Sequence, residues 1–244
     1  MIEIVETDVF GRVLLLDGHI QLTELDEHAY HESLVQIPML NIAEPSAALI
    51  IGGGDGGVAR EILRHESIRR VDMIEIDQAV IDECRRHMPS LSAGAFDDSR
   101  LNLQIGDAFA HVQNLEGPYD LIVADSTDVY EDAEGGLSEQ LFTPSFYSTL
   151  SALLRDDGIV VTQSDNPVFC PYTLDAVRSS FAQAFPVVGS YVGLVPSFGG
   201  YSAFCYGSRG RRLLESWGDW DSKGVPLRYL SSATYNLAFA GFGF

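Results

Sequence analysis

Ala47-Ala48-Leu49-Ile50-Ile51-Gly52-Gly53-Gly54-Asp55-Gly56-Gly57-Val58-Ala59-Arg60-Glu61 is the stretch from which the rest of this chain can be read. Its first five residues are apolar without interruption, the pattern of a strand covered on both faces. Five glycines around a single aspartate follow, and residues 58–65 then take an amphipathic helical spacing. A glycine-rich turn from a buried strand into a helix lets a ligand approach bare backbone beside the positive end of the helix. Gly52, Gly54 and Gly57 fit the spacing G-x-G-x-x-G, which a plain tight turn also satisfies. Asp55 narrows the ligand. A carboxylate inside the loop would repel a pyrophosphate, and it suits a nucleoside-type ligand with a cationic tail.

From residue 44 onward strands alternate with helices, which implies a mostly parallel, Rossmann-like α/β sheet with helices on both faces. Strands are expected at residues 47–51, 70–76, 101–105, 119–124 and 158–162, with 186–192 and 203–207 as a closing pair. Upstream, residues 2–7 and 12–17 flank a Phe10-Gly11 turn, and Asp17-Gly18 opens a second hairpin into 19–23. This small N-terminal antiparallel segment is marginal by itself, and an edge facing a second copy of the chain would protect it. A helix is expected over 24–40, acidic in its first turn and holding Tyr30 and His31. The division that follows is residues 1–42, a β-hairpin or meander with its linking helix, and residues 43–244, a Rossmann-like catalytic domain.

Acidic residues fall where the strands end. Asp55 follows the first strand of the sheet, Glu75 and Asp77 end the second, Asp107 follows the third, and Asp125 and Asp128 end the fourth. Each alone could be a cap or turn residue. Open parallel sheets bind ligands beyond the carboxyl ends of their strands, so together they aim carboxylates at one crevice. Glu75 lies about twenty residues beyond the glycine loop, where an acid receives ribose hydroxyls. Asp107 beside the Ala108 amide can read an adenine edge. Asp55 takes a cation, and Asp125 and Asp128 remain for a second, cationic reactant. Tyr119-Asp120 precedes its strand and reads as structural.

With 244 residues, 46% hydrophobic and 20% charged, the chain is globular in composition. Its net charge of −20 argues against nucleic acid or an anionic membrane as partner, because both require a basic face. Cys84, Cys170 and Cys205 have no metal-type spacing and form no disulfide framework, and residues 1–10 hold three acids and no base, unlike a signal peptide. A reducing cytoplasm is the expected location. The six histidines show no metal-ligand spacing, so no metal is expected.

Taken together, these segments resemble the polyamine aminopropyltransferases, the spermidine synthase family. The resemblance rests on Leu16-Asp17-Gly18-His19-Ile20-Gln21-Leu22-Thr23-Glu24, on Asp26-Glu27-His28-Ala29-Tyr30-His31-Glu32 and on the glycine loop. It continues through Ile74-Glu75-Ile76-Asp77, Gly106-Asp107-Ala108-Phe109, Asp125-Ser126-Thr127-Asp128, Gln163-Ser164-Asp165-Asn166-Pro167 and Val195-Pro196-Ser197-Phe198. It implies a sheet of the class I methyltransferase type and a homodimer or higher homo-oligomer. The implied reaction moves an aminopropyl group from decarboxylated S-adenosylmethionine, a co-substrate rather than a tightly bound cofactor, to a polyamine acceptor such as putrescine. By the same resemblance Gln21, His31 and Asp55 contact the donor's tail, Glu75 its ribose and Asp107 its adenine. Asp125 is implied as the base or the orienter of the attacking amine, assisted by Tyr30, while Asp128, Asp165 and Phe198 line the acceptor tunnel.

Three departures from the family pattern stand out. Upstream strands with a ribose-binding glutamine have no counterpart here, residues 129–140 form a longer, acidic gate, and Phe198 stands where a tyrosine is more frequent. Alternatives remain at this point: an S-adenosylmethionine-dependent methyltransferase, a catalytically silent binding relative, and a dinucleotide oxidoreductase. Asp55 disfavours the first and last, whose ligands carry negative charge at that place.

Overall fold

The computed structural model describes residues 1–126, 140–218 and 224–241. Asp128 and most of the acidic gate at 129–140 lie outside the described residues. Three antiparallel strands come first: β1 (Ile2–Thr7), β2 (Gly11–Leu16) and β3 (His19–Thr23), in the order β1-β2-β3. Leu14 and Leu22 of this small sheet pack with Val80, Cys84, Met88 and Leu91.

A second sheet has seven strands: β4 (Ala47–Gly52), β5 (Arg70–Glu75), β6 (Leu101–Ile105), β7 (Tyr119–Asp125), β8 (Leu154–Gln163), β9 (Val187–Val195) and β10 (Gly200–Ser208). Their order is β6-β5-β4-β7-β8-β10-β9. β6 to β8 run parallel, and β10 alone is antiparallel to both of its neighbours. This is the Rossmann-like sheet of the class I methyltransferase type. β8 begins four residues earlier than its apolar run suggests, because Leu154 pairs with Tyr119 ahead of an irregularity in β7.

The uninterrupted apolar run of β4 has a direct cause. Ala48 and Ile50 enter the larger core on one face, and Ala47, Leu49 and Ile51 enter the core on the other. Each large side chain so buried contributes about 1.5–3 kcal/mol of hydrophobic stabilisation. Asp120 lies within β7 rather than ahead of it. Its carboxylate accepts the Ser46 and Ala47 N–H groups at 2.7 and 2.9 Å and pairs with Arg155, tying down the start of β4.

The helix expected over 24–40 is three pieces in series and starts later. They are α1 (Glu27–His31), a π-helical turn (Glu32–Gln36) and α2 (Ile37–Asn41). Pro38 explains the break, because it has no N–H for the Leu34 carbonyl and its ring crowds that position. An i→i+5 ladder would in turn bring the Ser33 carbonyl to Pro38, and the Tyr191 hydroxyl donates to that carbonyl instead at 3.0 Å. The π turn keeps Tyr30 and His31 on the cavity side. It leaves Glu32 fully buried, accepting the N–H groups of Arg228, Tyr229 and Leu230 at 2.7–2.9 Å. Among the described residues no helix is long and apolar enough to cross a membrane.

Candidate active site

The strand order reverses direction between β4 and β7, and a crevice opens beyond the carboxyl ends of strands at such a switch point. Gly52, the last residue of β4, sits in register with Asp125, the last of β7. A cavity of about 990 Å³ fills the crevice. It is bounded by the glycine loop, the ends of β5, β6 and β7, the β2–β3 hairpin, and the segments around Asp165 and Phe198.

The loop between β4 and α3 (Gly57–Leu63) needs its glycines for two separate reasons. Gly52, Gly53 and Gly56 adopt φ of +80°, +73° and +86°, a region that costs an L side chain strain. Gly54 and Gly57 have no such φ, but they are hemmed in. A Cβ on Gly57 would lie 2.2 Å from the His31 ring, and one on Gly54 would lie 3.0 Å from Glu75. Asp55 folds back so that Oδ1 accepts the Gly57 N–H at 2.7 Å.

His31 is 1% exposed and uses both ring nitrogens on carboxylates. Nδ1 lies 2.8 Å from Glu27, and Nε2 lies 3.2 Å from Asp55. Burial disfavours its charge, but the flanking Asp55 and Glu27 outweigh it and raise its pKa to about 10. In return, His31 overcomes the effect of burial on Asp55 and holds that carboxyl below its ordinary value. Glu27 is lowered to about 2 against burial by His31 and by Arg60, whose guanidinium grips it at 2.8 and 3.2 Å.

Asp125 has the opposite fate. Burial, followed by the Asp55 charge, raises it to about 6, although His31 and a hydrogen bond from Tyr30 pull the other way. The Tyr30 hydroxyl donates to Asp125 Oδ1 at 2.6 Å, and its ring stands edge-on to Phe198 with centroids 5.6 Å apart. Two neighbouring carboxylates with pKa values driven apart form an acid–base arrangement. His31, Asp55 and Asp125 also bring one ligand-type atom each within 4.8 Å of one another. Both His31 nitrogens already meet carboxylates, so a metal ion bound here would have to displace the His31 Nε2 contact with Asp55.

Glu75 caps the far side, with Oε1 accepting the Asp77 N–H at 2.9 Å and burial raising its pKa. Asp107 caps the helix Ala108–His111, accepting the Phe109 N–H at 2.9 Å, and still lines the cavity with Ala108. Gln21 lines the opposite wall. Asp165 stands in a left-handed conformation at φ +62°, with its carboxylate accepting the Asn166 N–H at 2.6 Å.

Residues 27–210 match the spermine/spermidine synthase domain, and residues 1–24 match the spermidine synthase tetramerisation domain. The chain belongs to the spermine/spermidine synthase family. It is 37% identical over 240 residues to a polyamine aminopropyltransferase of Bacillus mycoides (strain KBAB4), covering 98% of this chain and 85% of that one. It is 38% identical over 209 residues to the polyamine aminopropyltransferase of Bacillus subtilis (strain 168), covering 85% of this chain and 74% of that one. A crystal structure of spermidine synthase in complex with the transition-state analogue AdoDATO superposes with a TM-score of 0.90 at 30% identity, over 98% of this chain and 81% of that chain. Spermidine synthase from Thermotoga maritima gives 0.85 at 30% identity, over 98% and 80%.

The fold brings Gln21, Tyr30, His31, Gly52, Gly54, Asp55, Glu75, Asp107, Ala108, Asp125, Asp165 and Phe198 to one cavity. Gly57 stands behind Asp55, with its backbone pinning it. Sequence reasoning passed over Glu27, although its i,i+4 spacing to His31 was the available signal. It also passed over Asp26 and Asn166. Asp26 accepts the Ser197 N–H and hydroxyl at 2.7 and 2.9 Å, and the Asn166 amide donates to the Phe198 carbonyl at 2.8 Å. Those two side chains set the position of Phe198 from two directions. No local pattern announced them, because their partners lie 171 and 32 residues away.

Proposed function

We propose that this member of the family transfers the aminopropyl group of decarboxylated S-adenosylmethionine to a diamine such as putrescine, releasing spermidine and methylthioadenosine. The observation that carries the reading is the pairing, in one cavity, of an ionised Asp55 held by His31 with an Asp125 raised to about 6. Asp55 receives the donor's terminal ammonium. Glu75 receives the ribose hydroxyls, and Asp107 with the Ala108 backbone receives the adenine. This places the sulfonium-bearing carbon near Asp125.

The acceptor's amine arrives protonated, since its pKa lies near about 10 by analogy with lysine. Asp125 takes that proton, with Tyr30 orienting its carboxylate. The freed nitrogen then attacks the donor's methylene carbon. A carbon–nitrogen bond forms, the carbon–sulfur bond breaks, and its electron pair returns to sulfur to leave a neutral thioether. Asp165 and the Phe198 ring hold the acceptor's far end. Alignment of two bound reactants is worth on the order of 7 kcal/mol in well-oriented systems.

The same reading includes self-association through the three-stranded sheet, supported by the match of residues 1–24 and the exposed Val5 and Ile20 on its strands. Cytoplasmic residence also belongs to it. A direct test incubates the enzyme with either intact or decarboxylated S-adenosylmethionine and a panel of amines, and measures methylthioadenosine. Release that requires the decarboxylated donor and a diamine is expected, and its absence with every amine would overturn the proposal.

A further inference from the structure

Glu27 does not line the cavity; it lies behind His31 and borders a second one. It is nonetheless 5% exposed and fully engaged. Arg60 holds both of its oxygens from the outer side, and His31 Nδ1 meets Oε2 at 2.8 Å from the inner side. Arg60 is itself fixed by the Leu91 carbonyl at 2.7 Å and by Glu61 at 3.0 Å. The result is a continuous line of alternating charge, Arg60–Glu27–His31–Asp55, running from a second cavity of about 530 Å³ to the wall of the first.

We propose that Glu27 is a positioning residue of the transfer reaction: by accepting from Nδ1 it keeps His31 protonated on both nitrogens, so that Nε2–H holds Asp55 ionised and aimed into the cavity.

The arrangement has a chemical logic. A neutral imidazole carries one N–H for the two carboxylates that flank it, and with that proton drawn to the shorter contact at Nδ1 only Glu27 is satisfied. Nε2 would then present a lone pair to Asp55, which repels a carboxylate. Asp55 could stay near His31 only by taking a proton, and it would lose the charge that receives a cationic tail. Among the described residues, the charged or titratable groups around this point include Glu27, His28 and Tyr30 from α1, Asp55 from the glycine loop, Arg60 and Glu61 from α3, Glu75 from β5, Asp125 from β7 and Arg228 at 4.0 Å from Glu27. Of these only Glu27 stabilises the proton on Nδ1. The raised pKa of His31 and the lowered one of Asp55 agree with this chain of contacts.

The consequence for turnover rests on the aminopropyl-transfer reading, whereas the protonation of His31 does not. The experiment therefore has two arms. Nitrogen-15 NMR of histidine-labelled protein, without reactants, follows His31 between pH 6 and 10.5. Both ring nitrogens of the wild type are expected to stay protonated beyond pH 9, and Glu27→Gln is expected to weaken proton binding at His31 at least tenfold. In the kinetic arm, the donor KM of the wild type stays within about twofold from pH 7 to 9, while that of Glu27→Gln rises at least fivefold. Glu27→Asp restores part of the difference.

A neutral His31 in the wild type at pH 8 overturns the proposal, and this holds even if no variant folds. So does a Glu27→Gln protein that melts earlier but keeps the wild-type titration and pH profile, which is the behaviour of a mere helix anchor. Failure of methylthioadenosine release in the wild type would remove the reaction and leave the titration of His31 to decide the role of Glu27.

Discussion

Asp55 and Asp125 face the same cavity yet ionise differently, because His31 compensates one far more than the other. Replacing Asp125 by Asn should lower kcat by about 10²-fold or more while leaving donor affinity nearly unchanged, the usual scale for a positioned base. In the wild type, kcat should fall as pH drops through about 6, since a protonated carboxyl accepts no proton. Tyr30→Phe removes a hydrogen bond that favours the ionised form, so this acid limb should move to higher pH, as a pH–rate profile would show. At Asp55 the effect falls on choice of donor. Asp55→Asn should erase about 1.5–3 kcal/mol of the preference for decarboxylated over intact S-adenosylmethionine, the range for a charge-assisted hydrogen bond. Calorimetric titration checks it, and tighter binding of the intact form by the wild type would remove Asp55 from this role.

At the scale of single elements, the glycine loop and the broken helix 27–41 act as one device. Gly57 has an ordinary backbone conformation, so Gly57→Ala tests collision rather than strain. Its methyl would enter the His31 ring, displace the partner of Asp55 and raise the donor KM without requiring a change in loop conformation. The π turn makes a second claim. Glu32 accepts three backbone N–H groups of segment 228–230 while fully buried. Glu32→Ala leaves those donors without a partner, each costing about 1–3 kcal/mol where buried, so the loss should approach about 3 kcal/mol or more. Urea denaturation measures that loss, and limited proteolysis should find new cleavage near residue 228. An unchanged midpoint would mean that water replaces the carboxylate.

Over the whole molecule, the line of charge through His31 links stability to pH. Glu27 sits below its ordinary 4.5, at about 2, so its contribution is present above 4.5 and is lost as pH falls through about 2. His31 sits above its ordinary 6.5, at about 10, so its contribution is complete below 6.5 and is lost as pH rises through about 10. Asp125 works weakly the other way, losing stability as pH rises from 3.8 to about 6. The unfolding midpoint should therefore decline above pH 6.5 and fall steeply toward 10, and that alkaline slope should shrink in His31→Gln. The net charge of −20 adds a long-range effect, since on the proposed function it would draw a dicationic acceptor toward the enzyme. The acceptor KM should rise with ionic strength as that field is screened. Light scattering on a sizing column tests the proposed self-association, which Val5→Lys in β1 should weaken.

What the sequence alone determined is what depends on neighbours along the chain. A run such as Ala47–Ile51 reads as a strand covered on both sides, five glycines in six positions read as a close approach of backbone, and acids just past several apolar runs together read as the carboxyl end of a parallel sheet. Those features mark Asp55, Glu75, Asp107 and Asp125 as groups at the end of the sheet. Protonation was another matter, because a charge in a buried site answers to every neighbour at once. The raised pKa of Asp125 depends on Tyr30, 95 positions earlier, and on the charge of Asp55, while Asp55 depends on His31, Glu27 and Arg60. The break in the helix also needed the fold. Pro38 advertises an interruption, but only the packed structure, with the Tyr191 hydroxyl at the Ser33 carbonyl and segment 228–230 on Glu32, makes a π turn the favourable answer. Local rules place chemical groups at the end of a sheet; electrostatics summed over distant elements decides which of them carries the proton.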